Sequence, residues 1–455
     1  MATAGLVAVA AGTFHAAYEI PWGAPIILAF FVCVNRLAAL RTSAHALRVG
    51  WVLGLLMYAP QLAFFWSIFG AAAIGLWLVL ACWLGLYLVV QRFALVKLGP
   101  IGALLLVPAL WMGVEYTRSE LYYLRFSWLN AGYLLPGLAW WVGMYGVGFV
   151  CMLAAAGTNV LIDRRRWTAA AALAVTATAT AALVSPLGSP QVSTTLIRVA
   201  GVQLEFPSSD MALRALDRLL VRHPDTQVFV LSEYTFDAGV PQAVRDWCAR
   251  HRCYLVAGGR DVGPPPGIVF RNTAFVVGPD GKDVLKQAKC VPIQFFSDGL
   301  PAEQQALWES PWGKIGVCVC YDLSYTRVTD ELVRQGAQAI IVPTMDLESW
   351  GARQHALHAR VAPTRAAEHR IPIFRLCSSG ISQAVDRRGV VTASAPFPGQ
   401  DAALAATLEL GETNGRIPLD RFAAWPSVAC LAIVLCWCLV DGWNQRPTRT
   451  SNPMR

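Results

Sequence analysis

The apolar runs of the first 190 residues constrain this chain more than any other feature. A membrane-crossing helix needs about 20 mostly apolar residues. Stretches of that kind, some a little shorter, recur at about 3–19, 22–38, 49–69, 71–91, 99–117, 138–162 and 167–185, with an eighth at 425–442. Residues 1–190 hold only 10 of the 37 Lys and Arg and 4 of the 29 Asp and Glu. With 15% charged residues over 455 positions and a mean hydropathy of +0.46, the chain lies well below the ~25% charged content of a soluble protein. Residues 1–190 therefore read as a membrane domain of about seven transmembrane helices. Residues 196–422 read as a water-soluble domain, 425–442 as a C-terminal transmembrane helix and 443–455 as a cytoplasmic tail. No cleavable signal peptide is expected, because no basic segment precedes the first apolar run.

Loop charges set the expected orientation. With the N-terminus inside and the spans alternating, Arg36, Arg41 and Arg48, then Arg92 and Lys97, then Arg164, Arg165 and Arg166, and finally Arg446, Arg449 and Arg455 all fall inside. That is the positive-inside pattern. It puts the 196–422 block outside, with one extended outer loop at 116–137 carrying Arg118, Glu120, Arg125 and Trp128. On its plainest reading that loop is solvated, with aromatic anchors at the interface. The net charge of +8 does not point to nucleic acid, because its basic residues flank apolar runs instead of clustering on a soluble face. The 12 cysteines form no secreted disulfide framework: Cys33, Cys82, Cys151, Cys430, Cys436 and Cys438 sit in apolar runs as small hydrophobes. Cys318 and Cys320 are too close for a CxxC motif.

Within the soluble block, strand-like runs at 195–203, 228–231, 253–257, 274–277, 315–320, 339–342 and 373–376 alternate with helical patterns at 209–223, 240–248, 329–335 and 353–368. Short apolar strands between helices indicate an α/β sheet covered on its faces. Reactive side chains stand at three strand-like ends: Glu233 after 228–231, Lys289 closing Asp-Val-Leu-Lys-Gln-Ala-Lys at 283–289, and Cys320 at the end of 315–320. Strand ends at one sheet edge are where α/β proteins gather their sites. A carboxylate, an ammonium and a thiol together supply the base, the oxyanion partner and the nucleophile of acyl transfer. Taken singly, a Glu at a strand end is usually a solvated loop residue and a buried Cys is usually core.

Further stretches give that trio weight. Gly-Val-Gln at 201–203, Leu-Ser-Glu-Tyr-Thr at 231–235, Arg-Asn-Thr-Ala at 271–274, Asp-Gly at 280–281, Cys-Tyr-Asp at 320–322, Arg-Ala-Ala-Glu at 365–368 and Ile-Pro-Ile-Phe-Arg-Leu-Cys-Ser-Ser-Gly-Ile-Ser at 371–382 resemble the carbon–nitrogen hydrolase (nitrilase) superfamily. The eight spans around one outer domain, Trp111, Glu115, Arg118, Trp128, Gly132 and Tyr133, and Gln354-His355 leading to the 365–368 motif are similar to the apolipoprotein N-acyltransferase family.

The resemblance implies a multi-span helical membrane domain joined to an α-β-β-α sandwich. It also implies a Glu–Lys–Cys triad with Glu233 as general base and Cys320 as nucleophile. The lysine is read as Lys289, eight residues after Gly281. Lys286 has the opposite strand parity and Gln287 cannot serve. Tyr321, Asp322 and Trp350 are expected to line the substrate region. The chain departs from the family pattern at three places: Pro292–Phe295 lacks an acidic residue that Asp298 could replace, Asp322 stands where Glu is usual, and 345–351 reads Met-Asp-Leu-Glu-Ser-Trp-Gly.

The implied partners are a phospholipid acyl donor, a lipoprotein acceptor and the bilayer of the bacterial inner membrane, with the catalytic domain on the periplasmic side. No cofactor, no metal and a monomeric chain are expected. His355 and His358, at i and i+3, read as core or interfacial residues more than as a metal pair. The competing readings are a membrane-tethered amidohydrolase using the same triad and a catalytically silent interaction protein. A site open to water favours the first, and an apolar funnel joined to the membrane favours acyl transfer.

Overall fold

The computed structural model describes residues 3–184, 194–262, 269–412 and 415–444; the end of the expected membrane domain at 185–190 falls outside them, as do Arg446, Arg449 and Arg455. The N-terminal part is helical: α1 (Thr3–Glu19), α2 (Ile27–Leu37), α3 (Ser43–Gln61), α4 (Phe65–Phe69), α5 (Ala72–Gly102), α6 (Leu106–Tyr116), α7 (Pro136–Val142), α8 (Met144–Asp163) and α9 (Trp167–Leu183). Among the described residues, Ala72–Gly102, Met144–Asp163 and Asp420–Asp441 are long and apolar enough to cross a membrane, and Ala24–Leu37 and Trp167–Leu183 are shorter apolar helices.

Several helix boundaries differ from those read in the sequence. The 49–69 run starts earlier, because Thr42 caps α3 by accepting from the His45 N–H, and it breaks after Gln61. The segment carrying Arg92 and Lys97 is helical; the chain turns only at Gly99, whose φ of 69° is open to glycine, followed by Pro100. The 138–162 run is two helices parted at Gly143. There the first N–H groups of α8 point at carboxylates of the soluble block: Met144 N donates to Glu368 at 2.6 Å and Tyr145 N to Asp420 at 2.8 Å. Anions at a helix N-terminus satisfy its orphan donors and its dipole. A Cβ at Gly143 would collide with the Asp420 carboxylate.

The soluble block is a two-sheet sandwich. One sheet has the order β12-β1-β2-β3-β4-β5, built from β1 (Thr195–Val202), β2 (Val228–Val230), β3 (Tyr254–Val262), β4 (Phe270–Val277), β5 (Asp283–Ala288) and β12 (Ala403–Leu410). The other runs β11-β10-β9-β8-β7-β6, from β6 (Leu307–Ser310), β7 (Gly313–Val317), β8 (Ala339–Thr344), β9 (Ile373–Cys377), β10 (Ser382–Val385) and β11 (Val391–Ala395).

Side-chain alternation builds the layers. Val199, Val228, Val230, Val256 and Val276 face Val317, Ile341 and Leu376 across the sandwich. Ala200, Phe229, Leu255 and Phe275 face outward, under Leu216 and Trp247 of α10 (Ser209–Arg222) and α11 (Gln242–His251). On the far side lie α12 (Thr326–Arg334), α13 (Gly351–Ala359) and α14 (Val361–His369), and α15 (Asp420–Asn444) ends the described chain. The single helix expected over 353–368 is two. Pro363 has no N–H to continue the ladder from α13 but is tolerated in the first turn of α14.

Apart from its exposed tip at Leu121–Tyr123, the outer loop is not solvated. Arg118, Glu120 and Trp128 are buried because the loop wedges between the membrane helices and the sandwich. Trp128 Nε1 donates to Ser324 Oγ at 3.0 Å, Thr326 N donates to Glu120 Oε1 at 3.1 Å, and Arg118 donates to Tyr58 and Asn130.

Candidate active site

Glu233 follows β2, Lys289 follows β5, and Cys320 lies three residues beyond β7, so three strand ends converge. The 315–320 run expected to be strand stops at Val317, and Cys320 opens a short 3₁₀ turn, Cys320–Ser324, at a φ of 52°. A non-glycine residue there costs on the order of 1–3 kcal/mol and persists only where its surroundings over-determine it. Here the Asp322 carboxylate does so, accepting from Val319 N at 3.2 Å, Val291 N at 2.7 Å and Cys290 N at 3.1 Å. Asp322 is fully buried and all its acceptor capacity faces backbone. It ties the Lys289 loop to the Cys320 turn and does not line the substrate region as expected.

Glu233 and Lys289 are equally enclosed. Lys289 Nζ lies 2.9 Å from Glu233 Oε1 and 2.8 Å from Asp298 Oδ2. Asn272 Nδ2 donates to Glu233 at 2.6 Å and to Asp298 at 2.7 Å, and Met345 N donates to Glu233 Oε2 at 2.7 Å. Burial alone would lower Lys289, but the Asp298 and Glu233 carboxylates hold it well above the usual lysine range. Burial and Glu233 together push the Cys320 thiol well above the usual range, against Lys289. Lys289 therefore rests as ammonium and Cys320 as thiol. Gly258 lets β3 pass under the Glu233 turn, since a Cβ there would sit 2.4 Å from Glu233 Cα. Lys286, by contrast, is exposed and meets Asp261 at 3.3 Å.

Cys320 opens into an apolar cavity of about 830 Å³, mouth included, that runs to the helical part. Its walls include Phe65, Phe69 and Leu80 from α4 and α5, Phe126 and Trp128 from the outer loop, and Tyr321 and Trp350 beside the thiol.

Known proteins match both halves. A carbon–nitrogen hydrolase family model covers residues 226–413, and the model of the apolipoprotein N-acyltransferase N-terminal domain covers 4–157. An apolipoprotein N-acyltransferase of Geobacter metallireducens is 24% identical over 505 aligned positions, 94% of each chain. The chain is an apolipoprotein N-acyltransferase-like member of the carbon–nitrogen hydrolase superfamily. Another apolipoprotein N-acyltransferase, from Shewanella oneidensis, is 25% identical over 71% of this chain and 69% of its own. Among solved structures, Saccharomyces cerevisiae Nit3 of the nitrilase superfamily matches with 22% identity and a TM-score of 0.41, covering 52% of this chain and 96% of its own.

Seen as a member of this family, the chain brings together Glu233, Lys289 and Cys320, and sets Tyr321 and Trp350 on the cavity wall. Sequence reasoning gave no role to Asn272, although a polar residue inside an apolar strand was a visible signal. It also missed Asp346, whose carboxylate meets His358 Nδ1 at 2.8 Å and Arg375 Nη2 at 2.6 Å. Among the described residues no group of three or more His, Cys, Asp or Glu is arranged to hold a metal.

Proposed function

We propose that this protein moves an acyl chain from a membrane phospholipid, through a thioester on Cys320, to the N-terminal amine of a diacylated lipoprotein. The observation that carries the reading is the apolar cavity running from the thiol to α4 and α5, which suits an acyl tail and does not suit a water-fed amidase. Cys320 gives its proton to Glu233 as sulfur attacks the ester carbonyl. Lys289 stabilises the oxyanion that develops. Glu233 then protonates the departing lysophospholipid oxygen, and in the second half takes a proton from the incoming amine. The eight apolar stretches cross the inner membrane with the N-terminus inside and the sandwich in the periplasm, and the chain acts as a monomer.

The test uses labelled phospholipid. The wild type should trap an acyl group on Cys320 that hydroxylamine releases; Cys320→Ala should trap none, and Cys318→Ala should keep most labelling. An adduct on Cys320→Ala overturns the nucleophile assignment. Cleavage of small amides with no labelling by phospholipid would establish the amidohydrolase reading instead.

A further inference from the structure

Asp346 is fully buried beside the cavity and engages three side chains at once. Arg375 Nη2 donates to Oδ2 at 2.6 Å, while Gln354 Nε2 at 2.9 Å and His358 Nδ1 at 2.8 Å meet Oδ1. Those contacts fix what each partner has left to offer. Burial alone would raise the Asp346 carboxyl, but His358 and Arg375 hold it well below the usual range, so it only accepts. Nδ1 of His358 must then carry the ring proton. Burial keeps the ring neutral, with its pKa pushed down to about 4, so Nε2 is a bare lone pair. Gln354 gives its NH₂ to Asp346 and keeps Oε1 free. Neither Nε2 nor Oε1 has a partner in the protein although both are buried, and both residues line the cavity that holds Cys320. Trp128 stacks on the His358 ring at 4.5 Å and 17°, fixing its plane.

Two unpartnered acceptors backed by a buried carboxylate, beside the nucleophile, match a donor that carries positive charge. We propose that His358 Nε2 and Gln354 Oε1 form the subsite that binds the primary amine of the acyl acceptor. This rests on the acyl-transfer reading above. An ammonium docks by donating to both atoms. An α-amine titrates near 8, so a fraction is neutral at physiological pH. The neutral nitrogen bonds to the thioester carbonyl carbon, the C–S bond breaks, and one N–H proton passes by way of Glu233 to the Cys320 sulfur. His358 is too weakly basic to keep that proton; it binds and aims the amine.

The test compares two fates of one thioester. The full-length protein in detergent is loaded with labelled phospholipid and chased with a synthetic diacylated peptide bearing a free N-terminal amine. Amide product and free fatty acid are then quantified. His358→Leu and Gln354→Met should each shift the amide-to-acid ratio toward hydrolysis by about 10- to 100-fold, the worth of a hydrogen bond to a charged group. The half-saturating peptide concentration should rise with it. His358→Gln, which returns a carbonyl acceptor to the same place, should recover part of the ratio. Wild-type partition in both His358→Leu and Gln354→Met overturns the subsite. If His358→Leu fails to load, Gln354→Met decides. A wild type that forms no thioester overturns the acyl-transfer reading itself, which is distinguishable from normal loading with unchanged partition.

Discussion

Asp298 offers the sharpest test of how the site is held together. Its carboxylate collects four donors: Lys289 Nζ at 2.8 Å and Ile293 N at 2.8 Å on Oδ2, and Asn272 Nδ2 at 2.7 Å and Tyr234 OH at 2.8 Å on Oδ1. Asp298→Ala orphans all four in a buried place, and removing one partner of a buried ion pair costs about 3–5 kcal/mol. Lys289 keeps Glu233, so the loss should sit at the low end, about 3 kcal/mol. Asp298→Asn is a different perturbation. With its oxygen toward Lys289 and Ile293 and its NH₂ donating to the Tyr234 oxygen, only one Asn272 bond is lost, and Asn272 still donates to Glu233. That variant should cost about 1 kcal/mol, one net hydrogen bond. At roughly 2–4 °C per kcal/mol for a domain of this size, Asp298→Ala should lower the unfolding midpoint of the sandwich by about 6–12 °C and Asp298→Asn by about 2–4 °C. Thermal unfolding in detergent, followed by intrinsic fluorescence, measures both. Equal losses for the two variants, or none for Asp298→Ala, would refute the donor accounting.

Lys289→Ala should slow thioester formation by about 10²–10³, the cost of an oxyanion donor, while Lys286→Ala should leave it nearly intact because its ion pair with Asp261 is exposed; the reverse pattern would move the lysine to the other strand face. Burial depresses His358 and His369 to about 4. Between that value and the unfolded pKa near 6.5 the unfolded chain binds more protons, so stability is fully present above about pH 6.5 and falls as pH drops toward 4. Unfolding midpoints should follow that course, and a flat profile across the window would count against neutral buried rings. Reporter fusions after Arg166 and at the C-terminus should report cytoplasm and one near residue 300 should report periplasm; an external C-terminus would sink the eight-span topology.

The parts of this fold that sequence made legible are those with a local signal. The short apolar runs of Thr195–Val202 and Val228–Val230 and the amphipathic stripe of Ser209–Arg222 are such signals, and each element lies within a few residues of its expected place. The edge strands Leu307–Ser310 and Val391–Ala395 were not legible, because they are short and mix polar with apolar side chains. Helix breaks behaved the same way. Gly143 looked like one glycine in an apolar run, and only the Asp420 and Glu368 carboxylates, far away in the chain, make it a helix start. In the site, Glu233, Lys289 and Cys320 were singled out through the family pattern. Of the groups that hold them, Asp298 was legible as the stand-in acidic residue, whereas Asn272 and Met345 N were not, because they converge from a separate strand and loop.

On the proposed reading, that support also explains how a buried thiol serves as a nucleophile. Near Cys320 stand the Glu233 and Asp346 carboxylates and the Lys289 and Arg375 cations, with Asp298 behind Lys289. Ionising the thiol at rest would add a second net negative charge to a site closed to water, and burial and Glu233 already oppose it. A thiolate waiting for substrate is therefore disfavoured, and with it stray alkylation or oxidation. The balance changes when an acyl carbonyl enters. Proton transfer to Glu233 cancels one carboxylate charge as sulfur bonds to carbon, and the negative charge moves onto the carbonyl oxygen, where Lys289 is held ready by Asp298 and Glu233 at 2.8 and 2.9 Å. On the proposed reading, Asp298 keeps Lys289 protonated through the moment when Glu233 is neutral. A site with Glu233 alone would leave the buried ammonium without a counter-ion at that step. Asp298 thus supplies at 298 the acidic group missing from Pro292–Phe295, reached from a different point in the loop.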